Sequence, residues 1–237
     1  MSSPWIRDFG PFFYRNEEGD LGVVDSKYFN VRPFDDYFPT GNTKILYNTK
    51  YYSGYSILKN LPLNNLPLTL EGGNVLANGN GICLVADYVL KANKPLTGKY
   101  LLFEMLIILL DGDIRKLFAE HLGCTELVLL ETLQDCATGH VDMYLSWINS
   151  THLLVGEYSE LADNNTRTTI EKNVNLLKDL VDSGTGEKIH ITRVPMPSNC
   201  PKNKLCKDQS IYPCCPFNDD QVKKFLFSRS LTTLIVC

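Results

Sequence analysis

The feature that most constrains the fold is a recurring order of two short strands, a helix and a further strand, separated by turns rich in glycine and asparagine. Apolar runs joined by such turns predict β-hairpins, and apolar positions at helical spacing predict the helices. A hairpin is predicted for residues 12–31, further strands for 68–70, 75–77, 82–85, 127–130, 141–147, 153–155 and 189–194, and helices for 114–122 and 166–182. This alternation predicts a mixed α/β architecture.

Composition argues against several classes of partner. The 237 residues are 44% hydrophobic and 21% charged, an ordinary composition for a globular chain with a sizeable core. The formal net charge of -4, with dispersed lysines and arginines, argues against a nucleic-acid partner. The longest apolar run, residues 101–110, is about half as long as a bilayer span and contains Glu104. It predicts buried core and no membrane partner.

The eight cysteines fall into two sets. One set is scattered along the chain and the other lies in a polar, proline-rich segment; they are Cys83, Cys124, Cys136 and Cys237, and Cys200, Cys206, Cys214 and Cys215. The cluster is compatible with disulfides, with a metal site or with neither. Its spacing does not match the paired C-x2-C ligands of zinc ribbons, so we expect no metal.

Residues 139–143 place an imidazole and a carboxylate two positions apart at a predicted strand opening. Side chains at i and i+2 of a strand project from one face, so His140 and Asp142 are expected to point into one site. Val141 and Met143 would then turn into the core. A single His-x-Asp pair is common by chance, and its weight depends on two other stretches.

These stretches supply Trp5 and Asp8 near the start of the chain, and Glu71 in a Glu-Gly-Gly-Asn turn. Two carboxylates, Asp8 and Asp142, beside a flat aromatic ring would suit a guanidinium, because that planar cation pairs bidentately with carboxylates and stacks on rings. A nearby imidazole could move protons to a leaving amine. The structural alternatives are that Asp8 pairs with Arg7, that Trp5 is core and that Glu71 satisfies turn amides.

Three ordered motifs carry a family resemblance: Trp5-x-Arg7-Asp8-x-Gly10-Pro11, Glu71-Gly72-Gly73-Asn74 and Gly139-His140-x-Asp142. Together they closely resemble the agmatine deiminase and bacterial-type peptidylarginine deiminase family of guanidino-group-modifying enzymes, over nearly the whole chain. The resemblance implies a pentein fold, a five-bladed α/β propeller of ββαβ units with the active site on its central axis. It also implies hydrolysis of a guanidine to a ureido group, with release of ammonia and without a cofactor.

The resemblance also implies roles for the motif residues. Asp8 and Asp142 resemble the carboxylates that clamp the guanidinium, and His140 resembles the general acid and base. The candidate substrate-binding residues are Trp5, which would pack on the substrate stem, together with Arg32, Glu71 and Asn74. The implied partner is a guanidino small molecule or a peptidyl-arginine.

In the family, the nucleophile lies near the C-terminus in a Gly-rich stretch that ends in His-Cys. This sequence contains no such stretch. Residues 229–236 instead resemble a family strand that comes some tens of residues earlier. We therefore expect the chain to end before its nucleophile and to begin after the first propeller strands. Cys237 follows an apolar run without glycine or histidine, so we expect it not to be the nucleophile. The predicted organisation is one incomplete deiminase-type domain over residues 1–237, with insertions near 98–113 and 199–216.

Three functions stay open on sequence grounds. The chain is either an amidine hydrolase or a non-catalytic remnant that binds guanidino ligands or protein partners, and a disulfide-stabilised interaction module around residues 200–215 ranks last. The substrate is also open. Residues 31–36 resemble the peptidylarginine type, in which an arginine-rich loop holds the substrate carboxylate, but only Arg32 is basic here. Free agmatine has no carboxylate to hold.

Overall fold

A computed structural model of the chain describes residues 6–16, 18–28, 61–93, 103–133, 138–158 and 164–196. The described residues divide into two compact units. The first unit runs to Thr132 and also includes Gly139–Met143, whereas the second contains Leu133, Thr138 and the described residues between 144 and 196. Trp5, Arg32, Cys237 and the 200–215 cysteine cluster lie outside the described residues.

The first unit contains two three-stranded sheets. The first sheet follows a short helix, α1 (Ile6–Phe9), and consists of β1 (Phe12–Arg15), β2 (Leu21–Lys27) and β3 (Leu63–Thr69). A 3₁₀ turn, Gly72–Asn74, leads into the second sheet, which consists of β4 (Val75–Ala77), β5 (Ile82–Ala86) and β6 (Glu126–Leu130), with α2 (Tyr88–Ala92) and α3 (Phe103–Leu122) between β5 and β6.

The second unit contains the third sheet, which follows a 3₁₀ turn at Val141–Met143. Its elements are β7 (Leu145–Asn149), β8 (His152–Glu157), α4 (Asn164–Leu177) and β9 (His190–Pro195). Its most deeply buried apolar residues, each at most 1% exposed, are Leu153, Val155, Ile170 and Leu177. The helix predicted for residues 166–182 is confirmed in position but ends at Leu177.

All three sheets share one pairing pattern. The first two strands are antiparallel, and the third pairs in parallel with the second. Equivalent register rows are Phe12, Val24 and Asn64 in the first sheet, Val75, Val85 and Leu129 in the second, and Leu145, Val155 and Arg193 in the third. A parallel pair requires a crossover connection, and helices occupy it in the second and third groups. The predicted two-strand, helix, strand repeat is thereby confirmed for these groups.

Helix α3 begins eleven residues earlier than the helix predicted for 114–122. Its first half contains most of the apolar run at residues 101–110, where no polar N-cap residue marks the start of a helix. The same half overlaps the segment predicted as an insertion, residues 98–113. Gly123, with φ of +67°, follows its end as predicted. The helix packs Ile114 and Phe118 into the core of the first unit, where Phe118 is 0% exposed. No helix in the described segments is long and apolar enough to cross a membrane.

The strand predicted for residues 141–147 is wrong at its start. Residues Val141–Met143 form a 3₁₀ turn, and the strand begins at Leu145. Gly139, with φ of +68°, redirects the chain just before this turn. The side-chain period is therefore about three, not two, so Val141 is buried whereas Met143 is 42% exposed. The expectation that both face the core is corrected for Met143.

Two of the scattered cysteines form a disulfide. Cys83 on β5 and Cys124 just after α3 lie with their Cα atoms 5.5 Å apart, and each is 2% exposed. Sequence spacing did not indicate this pair, because 41 positions separate the two residues. Among the residues with described side chains, no group of His, Cys, Asp and Glu is arranged to hold a metal ion.

Candidate functional site

The candidate site is built from the turns that lead into the first strand of each sheet. Asp8 lies on α1, Glu71 immediately precedes the Gly72–Asn74 turn, and His140 immediately precedes the Val141–Met143 turn, which carries Asp142. Helix α1 contacts the Gly72–Asn74 turn, which in turn contacts the Val141–Met143 turn. Side chains from three distant parts of the sequence are thereby brought together in the first unit.

His140 is the centre of the cluster. Its Nε2 is hydrogen bonded to Oε2 of Glu71, and its Nδ1 lies 3.7 Å from Oδ1 of Asp8. The three side chains are 7%, 16% and 15% exposed, respectively. With Glu71 ionised, Nε2 carries the proton of this hydrogen bond, and Nδ1 faces the second carboxylate. The imidazole is thus flanked by an anion on each ring nitrogen.

This environment changes the proton affinity of His140 in a defined direction. Burial opposes the charged form, but the Glu71 hydrogen bond and the negative charges of Asp8, Glu71 and Asp142 outweigh it and raise the pKa of His140 above 6.5. The pKa of Asp8 is also raised above 3.8, chiefly by burial. His140 and the Gly73 N–H lower the pKa of Asp8, whereas Glu71 and Asp142 raise it. Both groups therefore hold protons more tightly than they would in water.

The two glycines of the Glu-Gly-Gly-Asn turn are required by close packing. A Cβ atom at Gly73 would overlap Nδ1 of His140 and lie 2.9 Å from Oδ1 of Asp8. The Gly73 N–H also donates a hydrogen bond of 3.1 Å to that Asp8 oxygen. A Cβ atom at Gly72 would overlap the carbonyl oxygen of Arg7. The glycines let the backbone approach both α1 and the imidazole.

Asp142 is paired with Arg7. Nε of Arg7 lies 3.0 Å from Oδ2 of Asp142, and the side chains are 28% and 23% exposed. The distance is that of an ion pair, although the Nε–H group does not meet the angular requirement of a hydrogen bond. The sequence alternative that Arg7 pairs with Asp8 is therefore replaced, because its observed ion pair is with Asp142.

Asn74, predicted to bind substrate, is 3% exposed and its Oδ1 accepts a 3.0 Å hydrogen bond from the backbone N–H of Ala86. This bond ties the end of β5 to the turn that follows Glu71.

Tyr88 was not predicted from the sequence. Together with Glu71, Asn74 and His140 it lines a niche that the side chains of Thr69, Leu70, Val89 and Ala92 complete. The one sequence signal for Tyr88 is its position two residues after the buried apolar run that forms β5.

A buried imidazole lies among three carboxylates on the segments that lead into the strand groups, an arrangement that can exchange protons and attract a cation. The fold is that of an α/β protein with repeated ββαβ units. The sequence model of the family described as Porphyromonas-type peptidyl-arginine deiminase matches residues 1–214. The chain belongs to this family.

Solved structures share the fold. Agmatine deiminase of C. jejuni is 18% identical with a TM-score of 0.57, covering 86% of this chain and 52% of that one. A variant of the C. jejuni enzyme with substrate bound is 16% identical with a TM-score of 0.57, covering 86% and 54%. Agmatine deiminase of Enterococcus faecalis is 17% identical with a TM-score of 0.62, covering 85% and 52%.

This chain therefore spans about half the length of the solved structures that it resembles. The likeness confirms the fold that the sequence motifs implied, the pentein α/β fold of ββαβ units. No curated protein sequence gives a significant match.

Proposed function

We propose that the cluster of Asp8, Glu71, His140 and Asp142 binds the guanidinium group of agmatine or of a peptidyl-arginine, within a site that hydrolyses it to a ureido product and ammonia. The observation that carries the proposal is the buried His140 imidazole held between the carboxylates of Glu71 and Asp8. Membership of the peptidyl-arginine deiminase family supports the same reaction class.

The charge of the cluster favours a cationic ligand. Within the described residues, the cluster has three carboxylates and one guanidinium, that of Arg7, which pairs with Asp142. The negative charges raise the pKa of His140 against the opposing effect of burial, whereas burial is the main cause of the raised pKa of Asp8. A bound guanidinium would supply the missing positive charge. The Arg7 ion pair also supports the idea that Asp142 accepts a guanidinium in this place.

Each residue then has a chemical role. Asp8 and Asp142 clamp the guanidinium, and Glu71 fixes the His140 ring through Nε2, leaving Nδ1 on the side of Asp8. In this reaction a cysteine thiolate attacks the guanidinium carbon, the C–N bond breaks, and His140 donates a proton to the departing ammonia. His140 then accepts a proton from the water that hydrolyses the thiouronium intermediate. No cofactor takes part in these steps.

The nucleophile has to come from a cysteine outside the described residues. Cys83 and Cys124, the two cysteines within them, are joined in a disulfide and offer no thiolate. We propose that Cys237 does not fill this role, because the apolar residues that precede it in the sequence include neither a glycine nor a histidine. The second candidate function, binding of a guanidino ligand without turnover, therefore stays next to the first.

Binding is tested by titration calorimetry of the full chain with agmatine and with a peptide containing arginine. Putrescine and the corresponding lysine peptide serve as ligands without a guanidinium. We expect Asp8→Asn to weaken agmatine binding about tenfold or more, because a charged hydrogen bond contributes about 1.5–3 kcal/mol. Asp20→Asn removes an exposed carboxylate of the β1–β2 turn and is the matched control. Equal binding of agmatine and putrescine would rule out a guanidinium site.

An ammonia assay then separates the two functions. Ammonia release that is lost in His140→Gln would establish the hydrolase, and its loss in Cys237→Ala would show our assignment of Cys237 to be wrong. Guanidino binding through Asp8 without any ammonia release would establish the non-catalytic alternative for this chain.

A further inference from the structure

A hydrogen-bonded corner lies next to His140 and is not part of the proposed site. It joins the ends of the parallel strands β5 and β6, where Ala86 is in register with Leu130. The backbone N–H of Asp87, one residue after β5, donates to the carbonyl of Leu130 at 2.8 Å. Two residues after Leu130, the backbone N–H of Thr132 donates a hydrogen bond of 3.1 Å to Oδ1 of Asp87.

The hydroxyl of Thr132 is engaged in both directions. It is hydrogen bonded to Oδ1 of Asp87, and its oxygen accepts a 3.1 Å hydrogen bond from the backbone N–H of Tyr88. Because Asp87 is an acceptor, the hydroxyl proton points to it, which leaves the oxygen lone pairs for Tyr88. The two side chains thus fix the start of α2 against the end of β6.

This corner contacts the backbone that carries His140. A Cβ atom at Gly139 would lie 2.8 Å from Cγ2 of Thr132 and 3.6 Å from Cβ of Tyr88. Gly139 has φ of +68°, and it is directly bonded to His140. Tyr88 also lines the niche that contains Glu71 and His140. The threonine methyl and the tyrosine side chain therefore pack against the backbone at Gly139, the residue before His140.

We propose that Asp87 and Thr132 are positioning residues that set the orientation of the His140 ring through Gly139 and Tyr88. The importance of that orientation for a reaction rests on the proposed function. The physical reason is geometric: Nε2 of His140 bonds Glu71 while Nδ1 lies 3.7 Å from Asp8, so a small rotation of the ring changes both contacts. A corner in which the threonine hydroxyl both donates and accepts a hydrogen bond resists that rotation.

The test compares two substitutions of Thr132. Thr132→Val keeps the methyl group near Gly139 and removes the hydroxyl, whereas Thr132→Ser keeps the hydroxyl and removes the methyl. Thr125→Val is the matched control, because Thr125 lies at the opposite end of the same strand pair and its hydroxyl contacts a second glycine with positive φ, Gly81. All three changes are conservative in volume.

The readout is the proton affinity of His140, followed by NMR on histidine-labelled protein. The chain has four histidines, and His140→Gln assigns the signal. The groups that face His140 are Asp8 on α1, Glu71 before the first 3₁₀ turn, Asp142 on the second and Tyr88 on α2. We expect Thr132→Val to change the proton affinity about threefold or more. Thr132→Ser, which loses only the methyl contact with Gly139, should change it less, and Thr125→Val should leave it at the wild-type value.

The proposal is overturned if Thr132→Val leaves the His140 titration unchanged, or if Thr132→Ser or Thr125→Val changes it equally. Should Thr132→Val fail to fold, Gly139→Ala provides the second measurement. It presses a Cβ atom against the same methyl and should disturb the titration, and Thr132→Ser in the same chain should restore it in part. The absence of both effects counts against the proposal. Because this readout needs no turnover, failure of the proposed hydrolysis would appear separately, as absence of ammonia release.

Discussion

Replacing Glu71 by glutamine tests the electrostatic core of the site. The substitution keeps the shape of the side chain and removes the charge that accepts the hydrogen bond from Nε2 of His140. Both side chains are less than a fifth exposed, so solvent screens the pair weakly. A hydrogen bond to a charged group contributes about 1.5–3 kcal/mol. Since about 1.4 kcal/mol is a factor of ten, His140 should bind its proton roughly 10- to 150-fold more weakly in Glu71→Gln.

The assay is an NMR titration of His140, with Glu126→Gln as the control for loss of an exposed carboxylate in the same unit. Asp8→Asn should have a smaller effect than Glu71→Gln, because its oxygen is 3.7 Å from Nδ1, beyond hydrogen-bond distance. A change of less than about threefold in Glu71→Gln would refute the reasoning. A larger change in Asp8→Asn than in Glu71→Gln would do the same.

Four further predictions concern stability. The raised pKa of His140 contributes free energy of unfolding that is fully present below pH 6.5 and is lost as the pH rises through the folded pKa. The advantage of the wild type over His140→Gln in urea unfolding should therefore be largest below pH 6.5 and should decline as the pH rises above it. Gly73→Ala should lower the melting temperature, because its Cβ overlaps His140; an unchanged value would contradict the close approach. Phe118→Ala should cost about 3–5 kcal/mol in urea unfolding, because the ring is fully buried. Asn74→Ala should cost about 1–3 kcal/mol by the same assay, because it removes a hydrogen-bond acceptor of the Ala86 N–H.

Hairpins and buried strands were predictable because their signals are local. The turn around Gly19 and the asparagine-glycine turn at residues 78–81 each join two apolar runs, and the strands form there. Strand β3 shows where local signals fail. Only residues 68–70 were predicted as a strand here, yet β3 spans Leu63–Thr69 and includes Pro67. It lies at the edge of its sheet and its register shifts in this region, which is where a residue without an N–H can be accommodated.

The site was predictable in its members and not in its contacts. Asp8, Glu71, His140 and Asp142 were found from motifs, but no periodicity relates residues this far apart in the chain. The pairing of Asp142 with Arg7 depends on how α1 meets the Val141–Met143 turn, which only the folded chain determines. The same holds for Asn74, whose buried amide oxygen bonds a backbone N–H on β5. Trp5 and Arg32 stay predictions, because they lie outside the described residues.

The site residues hold nearly equivalent positions along the chain in the three strand groups. Asp8 precedes Phe12 by four residues and Glu71 precedes Val75 by four, and Phe12 and Val75 hold the same register position in their sheets. His140 precedes the equivalent Leu145 by five residues. Two carboxylates and an imidazole therefore lie four or five residues before the first strand of their groups. The one-residue difference goes with Gly139, whose positive φ turns the backbone so that the imidazole can lie between the two carboxylates.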